Sequence, residues 1–242
     1  MRPASDRRSE SGNAIVYIFI AIALLAALSF AVSQSSRSAG KGLSEDRASL
    51  AASEIIAYGD AVSKAVGQLR LRGIKDYQLR FSFDDSSHTD YGTFDDEPRA
   101  EIFNRQGGGV LYRQPPPLAG NTALTYEFTG AFAIDRIGLT NCTTPEDCSE
   151  LLMTVTGLRK EVCQLINDQL GLAQRADEPP EDDALPNSPR FAGNDSSTPN
   201  PYTFTETIGD DSDSALLSQQ TAGCYFNPGS TSYIYYQVLI AR

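Results

Sequence analysis

Clustered carboxylates and four cysteines are the residues of this chain with the clearest chemical capacity. The carboxylates group at Asp84-Asp85, Asp95-Asp96-Glu97, Glu181-Asp182-Asp183 and Asp210-Asp211-Ser212-Asp213. Calcium takes several oxygen ligands from a bent loop. The stretch "GDDSDS" fits that demand best, with Asp211 and Asp213 placed to converge on one ion. A solvated loop that keeps the domain soluble is the plainer reading, and the preferred one. Carboxylate pairs also serve glycoside hydrolysis, but that chemistry depends on a separation across a cleft, which sequence spacing does not express. The cysteines, Cys142, Cys148, Cys163 and Cys224, allow three disulfide pairings. A zinc site is disfavoured, because there is no CxxC pair and the sole histidine, His88, stands in the turn-like "DDSSHTDYG". Gly107-Gly108-Gly109 is followed by neither a lysine nor a helix pattern, so it reads as a turn and not a phosphate loop. No GxSxG nucleophile elbow occurs. The expectation is therefore no catalytic residue, no enzyme, and no cofactor beyond the candidate calcium.

The chain of 242 residues carries a net charge of −11. Phosphate backbones are bound by clustered Lys and Arg, so nucleic acid is excluded as a partner. From Ala14 to Val32 there is no charged residue. As a helix this run spans roughly 28 Å, close to the hydrocarbon thickness of a bilayer. Arg2, Arg7 and Arg8 precede it, which keeps the N-terminus cytoplasmic and sends the rest outward. All four cysteines fall in the exported part, as an oxidising compartment favours. Ser29-Phe30-Ala31 offers an alternative signal-peptidase site, although the apolar run exceeds the usual signal core.

Elements must position these groups. After a polar stretch with Gly40 and Gly42, apolar residues recur at Ala48, Ala51, Ile55, Tyr58, Val62, Ala65 and Leu69, widened by Ile56 and Val66. Spacings of three and four make this the buried stripe of an amphipathic helix. Glu45, Asp46, Glu54, Asp60 and Lys64 line its other side. The helix is expected to lie on the core of its own domain, and the "GKG" break favours two helices in line over one rod. Asp76–Phe83 alternates as a strand, "AEIFNRQGGGVLYRQ" reads as a hairpin, and "ALTYEFTGAFAIDRIG" as a further pair of short runs. "TTPEDCSELLMTVTGLRKEVCQLINDQLGL" reads as a second helix, capped by Thr144, with Leu151, Leu152, Val155, Leu158, Val162, Leu165 and Ile166 on its apolar face and Gly157 a weak point. Residues 173–201 form an acidic, proline-rich loop. "YTFTET" and "STSYIYYQVLIAR" close the domain as strands. The second is apolar on both faces and belongs inside a sheet.

Together, the basic leader ending in Gly12, the apolar helix running on into an amphipathic half, and the strand-rich head with late cysteines resemble type IV pilins and pseudopilins, closest to the type IVb kind. The resemblance implies cleavage after Gly12 by a prepilin peptidase, a mature chain starting at methylated Asn13, and partners that are other pilin-like subunits and an inner-membrane assembly platform. It implies a disulfide between a helical cysteine and one near the C-terminus, carried over to Cys163 and Cys224; Cys142–Cys148, a tight loop at the helix start, is the pair left. Calcium in a C-terminal loop of some pseudopilins adds weight to Asp211 and Asp213. The family's usual Glu at mature position five is here Tyr17, an assembly position left without charge at neutral pH. The implied fold class is α+β: a long N-terminal helix, with a membrane half and an amphipathic half, packed on an antiparallel β-sheet head with a second, disulfide-linked helix. The implied organisation is a leader at 1–12, a transmembrane helix at 13–33, an amphipathic helix and linker at 34–75, and an exported head at 76–242. The implied place is a bacterial inner membrane, with the head periplasmic or in an extracellular filament, and the function that of a pilin-like structural or minor subunit of a type IV pilus or type II secretion-type assembly. The alternative is a single-pass anchored periplasmic binding module that does not polymerise.

Overall fold

The computed structural model describes the chain except residues 1–12, 85–89, 139–144, 173–177, 187–189 and 194–201, and the side chains of 13–15, 31–44 and 145–146. The chain divides into two compact units, Met1–Asp46 and Arg47–Arg242. Helix α1 (Asn13–Leu71) contributes to both. It carries no interruption at Gly40 or Gly42, contrary to the expected break. A helical glycine costs only about 1 kcal/mol relative to alanine, a penalty that long helical neighbours on both sides can absorb.

In the second unit α1 behaves as its stripe requires. Ala48, Ala51, Ile55, Tyr58, Val62, Ala65, Val66 and Leu69 are all buried, and Ile56 packs at the margin. Asp60 and Lys64 face solvent. The partner of that stripe is a five-stranded mixed sheet in the order β3-β1-β2-β5-β4, built from β1 (Glu127–Ile134), β2 (Glu150–Leu158), β3 (Glu206–Ile208), β4 (Ala222–Asn227) and β5 (Ser232–Ile240). Side chains alternate across β5. Tyr235 and Leu239 join the α1 core, while Ile234, Tyr236 and Val238 join a second core on the other face with Phe132, Leu152, Ile208 and Leu217. A strand apolar on both sides therefore sits between β2 and β4, as expected. Gly59 allows the close approach of α1 to β5: a Cβ there would stand 2.2 Å from Gln237 Oε1. Gln237 accepts from Tyr235 Oη at 2.6 Å and donates to Asp60 Oδ1 at 3.2 Å, which ties the strand to the helix.

The sheet is not wholly antiparallel. β1 pairs antiparallel with β2 but parallel with β3. The largest departure lies at residues 150–170. Where one long helix was expected, Glu150–Leu158 forms the central strand β2 and only Lys160–Leu170 is helical, as α2. A strand buried on both faces is a continuous apolar run, and such a run matches a buried helix equally well in sequence. Thr154, Val155 and Thr156 favour the strand because β-branched side chains suit a pleated surface. Gly157 marks a bulge in the β2–β5 pairing, with φ of 91°, a conformation that a side chain resists. Pro145–Cys148 is a single 3₁₀ turn; the expected cap, Thr144, lies outside the described residues.

Two other expected strands are not ladders. Asp76–Gln78 is a 3₁₀ turn, after which the chain makes one bridge, Arg80 to Glu101. Leu79, Phe81 and Phe83 are nevertheless buried. Ring packing holds this segment: Phe81 stacks on Phe128 at 4.1 Å and Phe83 on Tyr112 at 3.6 Å. Around the triple glycine a turn does form, with the Gly107 and Gly109 N–H groups both donating to Asn104 O, but no strands flank it. "ALTYEFTGAFAIDRIG" yields one strand, β1, and "YTFTET" contributes only its end to β3.

Cys163 of α2 and Cys224 of β4 are joined, with Cα atoms 5.4 Å apart. Beside them the Asn167 amide closes both hydrogen bonds with the Cys224 backbone, accepting from its N–H at 2.9 Å and donating to its C=O at 2.8 Å. Asn167 is fully buried, so no water substitutes for either bond. Replacing it with Ala strands a backbone donor and acceptor. The expected loss is about 3 kcal/mol, read from the urea midpoint at unchanged m-value.

Candidate functional site

Between Val16 and Phe30 the described side chains of α1 are exposed all the way round. The large apolar ones, among them Ile18, Phe19, Leu24, Leu25 and Leu28, range from 50% exposed at Ile20 to 68% at Phe19. No charged residue interrupts them. A helix that is apolar on every side is stable in contact with lipid or with other apolar helices, and not in water. Tyr17 lies in this surface, 65% exposed. Asn13 is the first described residue of α1; Gly12 lies outside the described residues. Among the described residues no helix is long and apolar enough to cross a membrane. The described side chains of the apolar run extend only from Val16 to Phe30, fewer than the about 20 residues that a crossing needs.

The head places its carboxylates in different roles. Asp211 and Asp213 stay exposed on the turn after β3, and among the described residues no group of three or more His, Cys, Asp and Glu is arranged to hold a metal. Asp182 is buried. Its Oδ1 accepts from Ala184 N–H at 3.0 Å and its Oδ2 from Gly209 N–H at 2.8 Å, so it ties the 181–184 segment to the turn after β3. Burial raises its carboxyl pKa, and those hydrogen bonds oppose the rise. Glu206 and Asp210 are also raised, by burial first and then by neighbouring carboxylates.

Glu150 is the most perturbed carboxyl among these. It is fully buried at the start of β2, where its Oε2 accepts from Ile134 N–H at 2.8 Å and its Oε1 has no hydrogen-bond partner. Burial pushes its pKa from 4.5 to about 8, against the opposing pull of backbone N–H groups and Arg242. No motif marks it. The only signal in the sequence is an acidic residue at the head of an apolar run.

Of the other residues singled out in the sequence, Cys163 and Cys224 come together as described. Cys148 is disulfide-bonded, while Cys142 and His88 lie outside the described residues. Of the open grooves among the described residues of the head, two expose large apolar side chains. One, of about 740 Å³, lies along the last turns of α1 and the residues to Asp76. The other, of about 550 Å³, is walled by Phe83, Phe94, Phe103 and Tyr112.

The fold and its surface define an α+β head whose first helix begins in an exposed apolar segment. Comparison with known protein families, with curated proteins and with solved structures finds no match for this chain.

Proposed function

We propose that this protein is a pilin-like subunit of a type IV pilus or type II secretion-type assembly. The N-terminal half of α1 is its bilayer anchor before assembly and its packing surface afterwards. The observation that carries the proposal is the exposure of every described large apolar side chain from Val16 to Phe30. Burying each such side chain is worth about 1.5–3 kcal/mol, so an apolar environment stabilises the segment. The uncharged sequence from Ala14 to Val32, longer than the described side chains, and the arginines before it support insertion with the N-terminus cytoplasmic. Once drawn from lipid, the same surface packs against equivalent helices of neighbouring subunits. The head, with no catalytic role in this reading, forms the outer surface.

Mass spectrometry of the mature N-terminus tests the proposal. A chain starting at methylated Asn13 is the expected result. An intact Met1, or a start at Val32 after cleavage behind Ala31, overturns it.

Tyr17 supports a second reading, an anchored binding module that does not polymerise. The position carries a phenol where an assembling subunit of the resembled family carries a carboxylate. Under this reading deletion of residues 1–32 leaves the function of the head intact. Under the first it abolishes function.

A further inference from the structure

The groove along the end of α1 departs from the character of the rest of the chain. Its apolar lining is Leu71, 91% exposed, and half-buried Ile74, and Gly67 and Gly73 add no side chain to it. Lys64 and Lys75 line it as well, with the Arg70–Asp76 pair. Among the described residues neither makes an ion pair, whereas Arg70 nearby is paired with Asp76 at 3.0 Å. Two cations without an ion pair among the described residues thus stand beside exposed Leu71 and half-buried Ile74, on a chain of net charge −11.

The complementary surface lies on the other side of the sheet. Asp210 and Asp211 project from the turn after β3, with Leu216, 37% exposed, a few residues on. The charges acting most strongly on Asp210 are those of Asp211, Asp135 and Asp183, all acidic. Arg136 in the same region is engaged with Asp135 at 3.5 Å. This turn belongs with Ile208 and Leu217 to the second core, whereas the groove belongs with Val66 and Leu69 to the α1 core.

We propose that the groove is the docking site for a second copy of this chain, which inserts its Asp210-Asp211 turn between Lys64 and Lys75 with Leu216 against Leu71 and Ile74. Charge complementarity selects this occupant: the groove is basic and apolar, and the turn is acidic with an apolar flank. The two surfaces come from different layers of the head, so the contact is heterologous. Each copy keeps one free groove and one free turn, and the contact propagates along a row without closing on itself. The contact stands on the head alone and does not depend on how the N-terminus is processed.

The test uses the full chain in detergent, with self-association followed by sedimentation and light scattering. Wild-type protein is expected to associate, and to do so less as salt is raised, because exposed ion pairs are screened. K64E/K75E and D210K/D211K are each expected to weaken association by about tenfold. An equimolar mixture of the two variants restores association, because each then offers the surface that the other matches. Circular dichroism checks that both variants are folded, which exposed surface substitutions should not prevent. A wild-type protein that is monomeric at all concentrations, variants that associate as wild type does, or a mixture no stronger than its components each overturns the proposal. Any of these results with a mature chain starting at Asn13 leaves the subunit reading standing and removes only this contact.

Discussion

Unfolding free energy is expected to fall as pH rises from 4.5 to about 8, and Glu150→Gln to remove most of that fall. The folded protein holds the Glu150 proton up to about pH 8, whereas the unfolded chain releases it near 4.5. Below the lower value both states are protonated and the group contributes no pH dependence. Between the two values the folded state binds the extra proton, so stability drops by about 1.4 kcal/mol per pH unit. Across the window the loss is on the order of 5 kcal/mol, and above it the curve flattens. Glutamine keeps an acceptor for the Ile134 N–H and cannot ionise. The wild-type and variant curves are therefore expected to coincide near pH 4.5 and to diverge progressively, with the variant more stable at pH 8. Asp182 is raised in the same direction, so some decline persists in the variant. Urea titrations at several pH values provide the measurement. The chain has no tryptophan, so near-ultraviolet circular dichroism of its 11 tyrosines is the natural probe. Parallel curves for the two proteins would refute the assignment.

Removal of the Cys163–Cys224 bond is the second large effect. The bond spans a sequence separation of 61 residues. On the chain-entropy model, closing a loop of that length destabilises the unfolded ensemble by about 4 kcal/mol. Cys163→Ala with Cys224→Ala is expected to lower the unfolding free energy by that amount while the folded far-ultraviolet spectrum is kept. The Asn167 hydrogen bonds and the Cα separation of 5.4 Å remain available to hold α2 on β4 without the bond. The cysteine pair and Asn167 are in contact, so a triple variant should not show additive losses. A double-cysteine variant as stable as the wild type would show that the unfolded chain gains little freedom when the bond is absent.

The legible parts of the fold were those where one period fits and its rival does not. The Ala48-to-Leu69 stripe matches helical spacing and fails strand alternation, and all of its members are buried. β5 alternates Tyr233, Tyr235, Gln237 and Leu239 with Ile234, Tyr236, Val238 and Ile240, and its apolar character on both faces placed it inside the sheet. The Cys163–Cys224 pairing came from resemblance, and the structure joins those residues. Residues 150–158 are ambiguous in sequence because Leu151, Leu152, Val155 and Leu158 satisfy a helical face while the same run fills a strand buried on both sides. β4 has no local signature, because Gly223 and Cys224 interrupt any apolar alternation. The strand is recognised by its pairing with β5, a contact distant from its own local pattern.

By itself the sequence determined the amphipathic helix, the uncharged N-terminal run, the acidic balance and the central place of the last strand. Each follows from the periodicity or the sum of side-chain properties along a short stretch. Only the tertiary structure decided which acids are buried, that β3 lies parallel to β1, and that Lys64 and Lys75 share a groove with Leu71. Desolvation, pairing direction and charge complementarity depend on which distant residues come together. Glu150 and Asp211 are both carboxylates in acidic stretches of sequence, and only the tertiary structure buries one and leaves the other exposed.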